Sequence, residues 1–230
     1  TSMGALIASL YASQPNAKKL EHDVMQENIG KLLDYTLSSH GIIKGNKIEE
    51  FLRQRMNNIT FDKLKIPTYI TAFDIDKKRE VIYSKGDVAQ AVRASISIPG
   101  IFIPVENNNE IIVDAGLIDP VPTEVLRKNG AEIIIAVNVT GFKEKPPLYN
   151  QKAKKQKVNK KMPSMIEATM KSISIMGAEL AQADIKKANI DFVIEVDLEG
   201  IELFDYKKAS LIIKKGEKTA RASLKKIIKI

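Results

Sequence analysis

Residues 110–140 read EIIVDAGLIDPVPTEVLRKNGAEIIIAVNVT. EIIVDAG is a short apolar run ending on Asp-Ala-Gly, the pattern of a strand with a carboxylate at its end. PTEVLRKNG, residues 122–130, carries helix formers and closes on Gly130, the residue type that caps helix C-termini. AEIIIAVNVT, residues 131–140, is continuously apolar, as in a parallel strand covered on both faces. Strand, helix, strand in that order predicts an α/β domain.

Working outward, DVAQAVRASIS (87–97) reads as a short helix capped by Asp87 and stopped by Pro99-Gly100. IPTYITAFDID (66–76) and REVIYS (79–84) are β-rich and joined by a charged turn, a hairpin or edge pair. NKIEEFLRQRMNN (46–58) sets Ile48, Phe51, Leu52 and Arg55/Met56 on one helical face. Asn16 is read as the N-cap of a helix running through residues 17–35, and MGALIASLYAS (3–13) as a buried helix. Beyond the opening motif, residues 142–163 are polar and aperiodic; Lys143 to Lys161 includes eight lysines and one aromatic, Tyr149. This stretch reads as an exposed loop. A long helix from Pro163, a strand IDFVIEVDL (190–198) and a closing amphipathic helix (205–230) follow.

The 230 residues are 44% hydrophobic, enough for one domain with a core of its own. No cysteine occurs, which removes disulfides and thiolate chemistry and favours a reducing, cytoplasmic location. The formal net charge of +8 suits an anionic partner, with an anionic membrane surface as the candidate for the lysine-rich loop. Nucleic-acid binders interleave arginine and aromatics, and this loop does not, so no nucleic-acid partner is expected. No apolar stretch reaches the roughly 18 residues of a membrane span.

Ser2-Met3-Gly4, leading straight into a small-residue helix, matches the back half of a Gly-x-Ser-x-Gly elbow, which exposes a serine hydroxyl on a strained strand-to-helix turn. In such an elbow the glycine lets the helix pass close to a strand. A nucleophilic serine needs a base. The two histidines, His22 and His40, lie early in polar contexts and read as surface residues. The base is then a carboxylate or lysine, and Asp114 at a strand end is the best carboxylate, with a turn or capping aspartate as the structural alternative. Asp119 before Pro120 reads as a turn residue; Asp74 and Asp76 read as hairpin carboxylates. A separate reading makes Thr1 an N-terminal nucleophile, which needs a strand where this chain has helix character.

TSMGALIASLYA, IPTYITAFDI, DVAQAVRASISIPGIFIPV and IIVDAGLIDPVPTEVLRKNGAEIIIAVNV, in that order, together resemble the patatin-like phospholipase family. Asp114-Ala115-Gly116 departs mildly from the family's Asp-Gly-Gly or Asp-Gly-Ala. The resemblance implies one three-layer α/β/α domain over 1–230 with a mainly parallel central sheet and a lysine-rich insert at about 143–162. It implies a Ser-Asp dyad, with Ser2 the nucleophile and Asp114 the proton acceptor, hydrolysing lipid esters through an acyl-enzyme without metal or cofactor. Met3, Gly4, Pro99, Phe102 and Gly116 would contact the substrate. The family's first strand and glycine-rich oxyanion loop precede the elbow, and the early glycines here (Gly4, Gly30, Gly41, Gly45) are not clustered. The expectation is a chain that starts inside the elbow, lacks the first strand and turns over poorly alone. The alternative function is a basic membrane-surface module with a degenerate hydrolase site.

Overall fold

The computed structural model describes residues 1–140, 162–201 and 205–227. They divide into two units, Thr1–Gly130 and Ala131–Ile230.

In the first unit, α1 (Met3–Ser13) is followed by α2 (Ala17–Gln26), whose N-cap Asn16 accepts the Lys19 N–H at 3.0 Å. Strands β1 (Tyr35–Ser38) and β2 (Gly41–Ile43) form a hairpin ahead of α3 (Asn46–Met56). The N-cap of α3 is Gly45, which has no side chain to offer. Asp34 serves instead: its carboxylate accepts the N–H groups of Gly45 (2.6 Å), Asn46 (2.9 Å) and Lys47 (3.3 Å). A carboxylate at a helix start also meets the positive end of the helix dipole. Then come β3 (Ile70–Asp74), β4 (Arg79–Tyr83), α4 (Val88–Ser95), β5 (Gly100–Phe102), β6 (Val105–Asn107), β7 (Glu110–Asp114) and α5 (Glu124–Lys128). One sheet runs β1-β2-β5, with β2 and β5 parallel. The larger runs β4-β3-β7-β6.

That larger sheet is antiparallel at every pairing, against the mainly parallel sheet expected. For β3–β4 and β6–β7 the connections are the reason. Ile75–Lys78 and Asn108–Asn109 join neighbouring strands, and links this short return the chain antiparallel, whereas a parallel crossover needs a dozen residues or more. Asn108 and Asn109 both take positive φ (48° and 60°), as a tight hairpin turn requires.

The core of this unit lies between α3, α4 and the larger sheet. Residues 91–97 are all buried, and Leu52, Ile70, Val88, Val92 and Ile112 are fully so. Ala72, Ala94 and Ile112 pack together, edged by Val81, Tyr83 and Val105. Burying such side chains stabilises by roughly 1.5–3 kcal/mol each for the larger ones.

Two local expectations change. The helix predicted over 17–35 stops at Gln26; Glu27 is extended (φ −78°, ψ 133°), a 3-10 turn takes Ile29–Leu32, and Tyr35-Thr-Leu-Ser becomes a strand. Gly30 interrupts the helix, and the aromatic and β-branched residues at 35–36 favour the strand. The first helix is buried on one face only: Ala5, Ser9 and Ala12 face inward while Met3, Ile7 and Tyr11 stay part-exposed.

In the second unit, β8 (Ile135–Asn138) pairs in parallel with β9 (Phe192–Glu195). The helix α6 (Met165–Lys187) begins at a capping box, with Ser164 and Glu167 each accepting the other's backbone N–H. The helix α7 (Ala209–Ile227) packs on β9. The parallel pairing of 131–140 agrees with the sequence, but burial on both faces does not. Ile134, Ala136 and Asn138 are buried; Ile133, Ile135, Val137 and Val139 are exposed. The lysine-rich insert lies outside the described residues up to position 161. Among the described residues, no helix is long and apolar enough to cross a membrane.

Candidate active site

Ser2 is the N-cap of α1 and has φ 52°, ψ −124°. L-residues other than glycine rarely hold positive φ, so this conformation persists only where neighbours over-determine it. They do. The Ser2 N–H donates to Ser95 Oγ at 2.8 Å, and the Ser2 carbonyl accepts from Leu6 N–H at 3.2 Å. Thr1 Oγ1 is 2.6 Å from Thr71 Oγ1 and donates to the Asp119 carbonyl at 3.0 Å. The turn is thus tied to β3, α4 and the loop after β7. The first intrahelical bond is Ala5 N–H to Thr1 carbonyl. The N–H groups of Met3 and Gly4 precede it, at the positive end of the helix.

Asp114 ends β7, opposite Ala72 of β3, and is only 4% exposed. Its backbone N–H donates to the Ser97 carbonyl at 3.0 Å. Its Oδ1 accepts the Gly116 N–H at 2.7 Å, opening a 3-10 turn at Ala115–Leu117. Burial raises the Asp114 pKa above its ordinary 3.8, while the nearby Ser2 side chain and the Gly116 N–H pull the other way. The net effect leaves a stronger base than free aspartate. The small residue at 116 has a local cause: a Cβ there would sit 3.1 Å from Asp114 Oδ1.

The last turn of α4 joins these two sites. Arg93, 4% exposed, lies beneath it. Its guanidinium donates to Ser97 Oγ (2.6 Å), to the Ile103 carbonyl (2.6 Å) and to the Lys44 carbonyl. It stands 5.8 Å from the centroid of the Phe102 ring. Burial lowers the Arg93 pKa, opposed by Glu49 and Asp34; carbonyls and an aromatic face surround its charge.

Ser2 and Asp114 come together, with Gly116 beside the carboxyl. Met3 is half-exposed next to Ser2. Gly4 differs from expectation: a Cβ there would meet nothing within 4 Å, so no close helix–strand approach accounts for it. Pro99 is part-buried after α4, and Phe102 is buried under Arg93 rather than facing solvent. Both histidines are exposed, and His40 sits in a turn with Ser38 and Ser39.

Sequence reasoning missed Ser95, Arg93 and Thr71. A serine in an apolar helix, ASIS, resembles any small core residue, and only the fold shows that its oxygen meets the elbow. It also missed Glu80 of β4. Burial raises the Glu80 pKa, and the neighbouring Asp119 carboxyl raises it further. Asp119, read as a turn residue, is thus half of a carboxyl pair. Among the described residues, no three His, Cys, Asp or Glu side chains gather as a metal site would require.

The arrangement offers a hydroxyl on a strained turn, a buried carboxyl near it, and a helix start beside the hydroxyl. That set suits nucleophilic acyl transfer. The family model for patatin-like phospholipases matches residues 1–127. An uncharacterized NTE family protein of Mycobacterium bovis is 30% identical over 149 residues, covering 64% of this chain and 41% of the relative. A second NTE family protein of that species is 23% identical over 237 residues, covering 97% and 40%. A lysophospholipase of Phaeosphaeria nodorum is 26% identical over 153 residues, covering 64% and 10%. The chain therefore spans about two fifths of the length of the first two.

Proposed function

The chain belongs to the patatin-like phospholipase family, and from that premise we propose that it is a serine lipid acyl hydrolase working through a Ser2–Asp114 dyad. The observation that carries the reading is the strained positive-φ Ser2 at the start of α1, tied through its N–H to Ser95 Oγ (2.8 Å), beside the buried Asp114, whose N–H is held by the Ser97 carbonyl two residues on (3.0 Å).

Ser2 Oγ attacks the ester carbonyl carbon while its proton passes to the Asp114 carboxylate. The carbonyl oxygen becomes an oxyanion, and the Met3 and Gly4 N–H groups at the start of α1 are the donors on this chain closest in sequence to it. The intermediate collapses, the C–O bond to the alcohol breaks, and Asp114 returns the proton to the leaving oxygen. An acyl-Ser2 ester remains. Water then attacks it, Asp114 takes the water's proton, and the acid departs as Ser2 regains its hydrogen. The carboxylate needs no histidine partner because burial has already raised its basicity. A glycerophospholipid or lysophospholipid is the substrate class, in keeping with the name of the Phaeosphaeria relative.

The test is p-nitrophenyl ester and phospholipid hydrolysis by the protein and its Ser2→Ala and Asp114→Asn variants, with fluorophosphonate labelling read by mass spectrometry. Labelling at Ser2 and loss of turnover in both variants are expected. Undiminished hydrolysis by either variant overturns the dyad. The net charge of +8 supports a second reading, a basic module that binds anionic membranes. It predicts anionic-liposome binding with no label on Ser2.

A further inference from the structure

We propose that Ser95, on the buried last turn of α4, is a positioning residue that sets the Ser2 hydroxyl against the Asp114 carboxyl. The proposal rests on the dyad reading above and extends it to a residue that touches neither substrate nor reacting atoms.

The strained backbone of Ser2 has one donor, its N–H, and that donor ends on the Ser95 side chain at 2.8 Å. A main-chain carbonyl could have satisfied the same N–H. A hydroxyl that is 0% exposed is a more specific choice, because its position depends on one side chain rather than on the ladder of a helix or sheet. Two residues on, the Ser97 carbonyl accepts the Asp114 N–H at 3.0 Å. The end of α4 and the residues just after it therefore hold the backbones of both dyad residues, which are about 110 positions apart in the chain.

That turn is itself held. Arg93 NH1 donates to Ser97 Oγ, which donates in turn to the Arg93 carbonyl at 2.9 Å, and Arg93 NH2 reaches the Lys44 and Ile103 carbonyls. The buried guanidinium fastens the turn to the chain ahead of α3 and to the chain after β5. Ser2, by contrast, stands at the lip of α1, where the next residue is half-exposed. Without the Ser95 oxygen, Ser2 loses its one polar hold on α4, and the positive-φ turn is free to relax. The hydroxyl then swings relative to a carboxyl whose own backbone remains fixed.

Misplacement by about 1 Å is enough to cost on the order of 100-fold in rate. The experiment measures kcat and KM for the p-nitrophenyl ester against pH in Ser95→Ala, Ser95→Thr and Ser2→Ala, with thermal unfolding alongside. Ser95→Ala is expected to lower kcat roughly 10- to 100-fold with KM unchanged. Its acid limb should also move to higher pH, because the Ser2 side chain, which pulls the Asp114 pKa down, moves away from the carboxyl. Ser95→Thr keeps the oxygen and should recover most of kcat. A folded Ser95→Ala with wild-type kcat and acid limb overturns the proposal, as does a folded Ser95→Thr no better than the alanine variant. If the alanine variant does not fold, Ser95→Cys keeps the volume with a weaker acceptor, and the same two outcomes apply. Ser2→Ala separates the two readings: if it retains turnover the dyad itself has failed, whereas an inactive Ser2→Ala beside a fully active Ser95→Ala removes only the positioning role.

Discussion

Gly45 and Gly86 both hold φ +81°, yet only one of them is crowded. An alanine at Gly86 would meet nothing within 4 Å, so Gly86→Ala reports the conformational term alone, about 1 kcal/mol. At Gly45 a Cβ would stand 2.8 Å from Arg93 Cζ and 3.0 Å from Cδ. A free arginine would swing aside, but this guanidinium is fixed by Ser97 Oγ and the Lys44 and Ile103 carbonyls. Moving it breaks at least one hydrogen bond to a charged group, at about 1.5–3 kcal/mol each. Gly45→Ala should therefore cost about 2.5–4 kcal/mol, roughly 1.5–3 more than Gly86→Ala. With an m-value near 2 kcal/mol/M, the urea midpoint of Gly45→Ala should lie about 0.75–1.5 M below that of Gly86→Ala. The assay is paired urea titration followed by circular dichroism. Midpoints that differ by less than about 0.25 M, or 0.5 kcal/mol, would refute the claim that Arg93 is held rigidly.

Three further outcomes are expected. Only ionised Asp114 can accept the Ser2 proton, so kcat/KM should fall as pH drops through a value above 3.8, and a profile flat to about pH 4 would contradict this. The same raised pKa means folding stability falls as pH climbs from 3.8 to the folded-state value, since the unfolded chain releases its proton first; Asp114→Asn should flatten that slope. Leu52→Ala, at a fully buried position of α3, should destabilise by about 2–5 kcal/mol in thermal or urea unfolding, and a loss below about 1 kcal/mol would mean that α3 packs loosely.

The sequence was most legible where local chemistry decides structure. Asp87 caps α4, accepting the Gln90 N–H at 2.8 Å, and Gly130 closes the segment after α5. The 3.6-residue spacing of Ile48, Leu52 and Met56 marks the buried face of α3. Membership of the family was legible because its short motifs keep their order along the chain. Strand direction was less so: apolar runs look alike in parallel and antiparallel sheets, and the turns that decide between them, such as Asn108–Asn109, were not weighed. The exposed alternate residues of β8 show the same limit, since an unbroken apolar run does not say which faces are covered. Least legible were Ser95, Arg93 and Glu80, whose partners lie far away in sequence. A buried arginine near the end of a helix reads as an ordinary surface cation until its acceptors are known.

The separation of the dyad has a consequence in time. Bringing Ser2 to Asp114 closes a loop of about 110 residues, and the entropy of that closure grows with its logarithm. Helices such as α1 and α4 can form in about a microsecond, but each carries only part of the site. The β3–β7 ladder and the docking of α4 must both exist before the hydroxyl meets the carboxyl. On the proposed dyad, reactivity at Ser2 would work as a clock for the first unit, appearing with its last cooperative step and vanishing with its first.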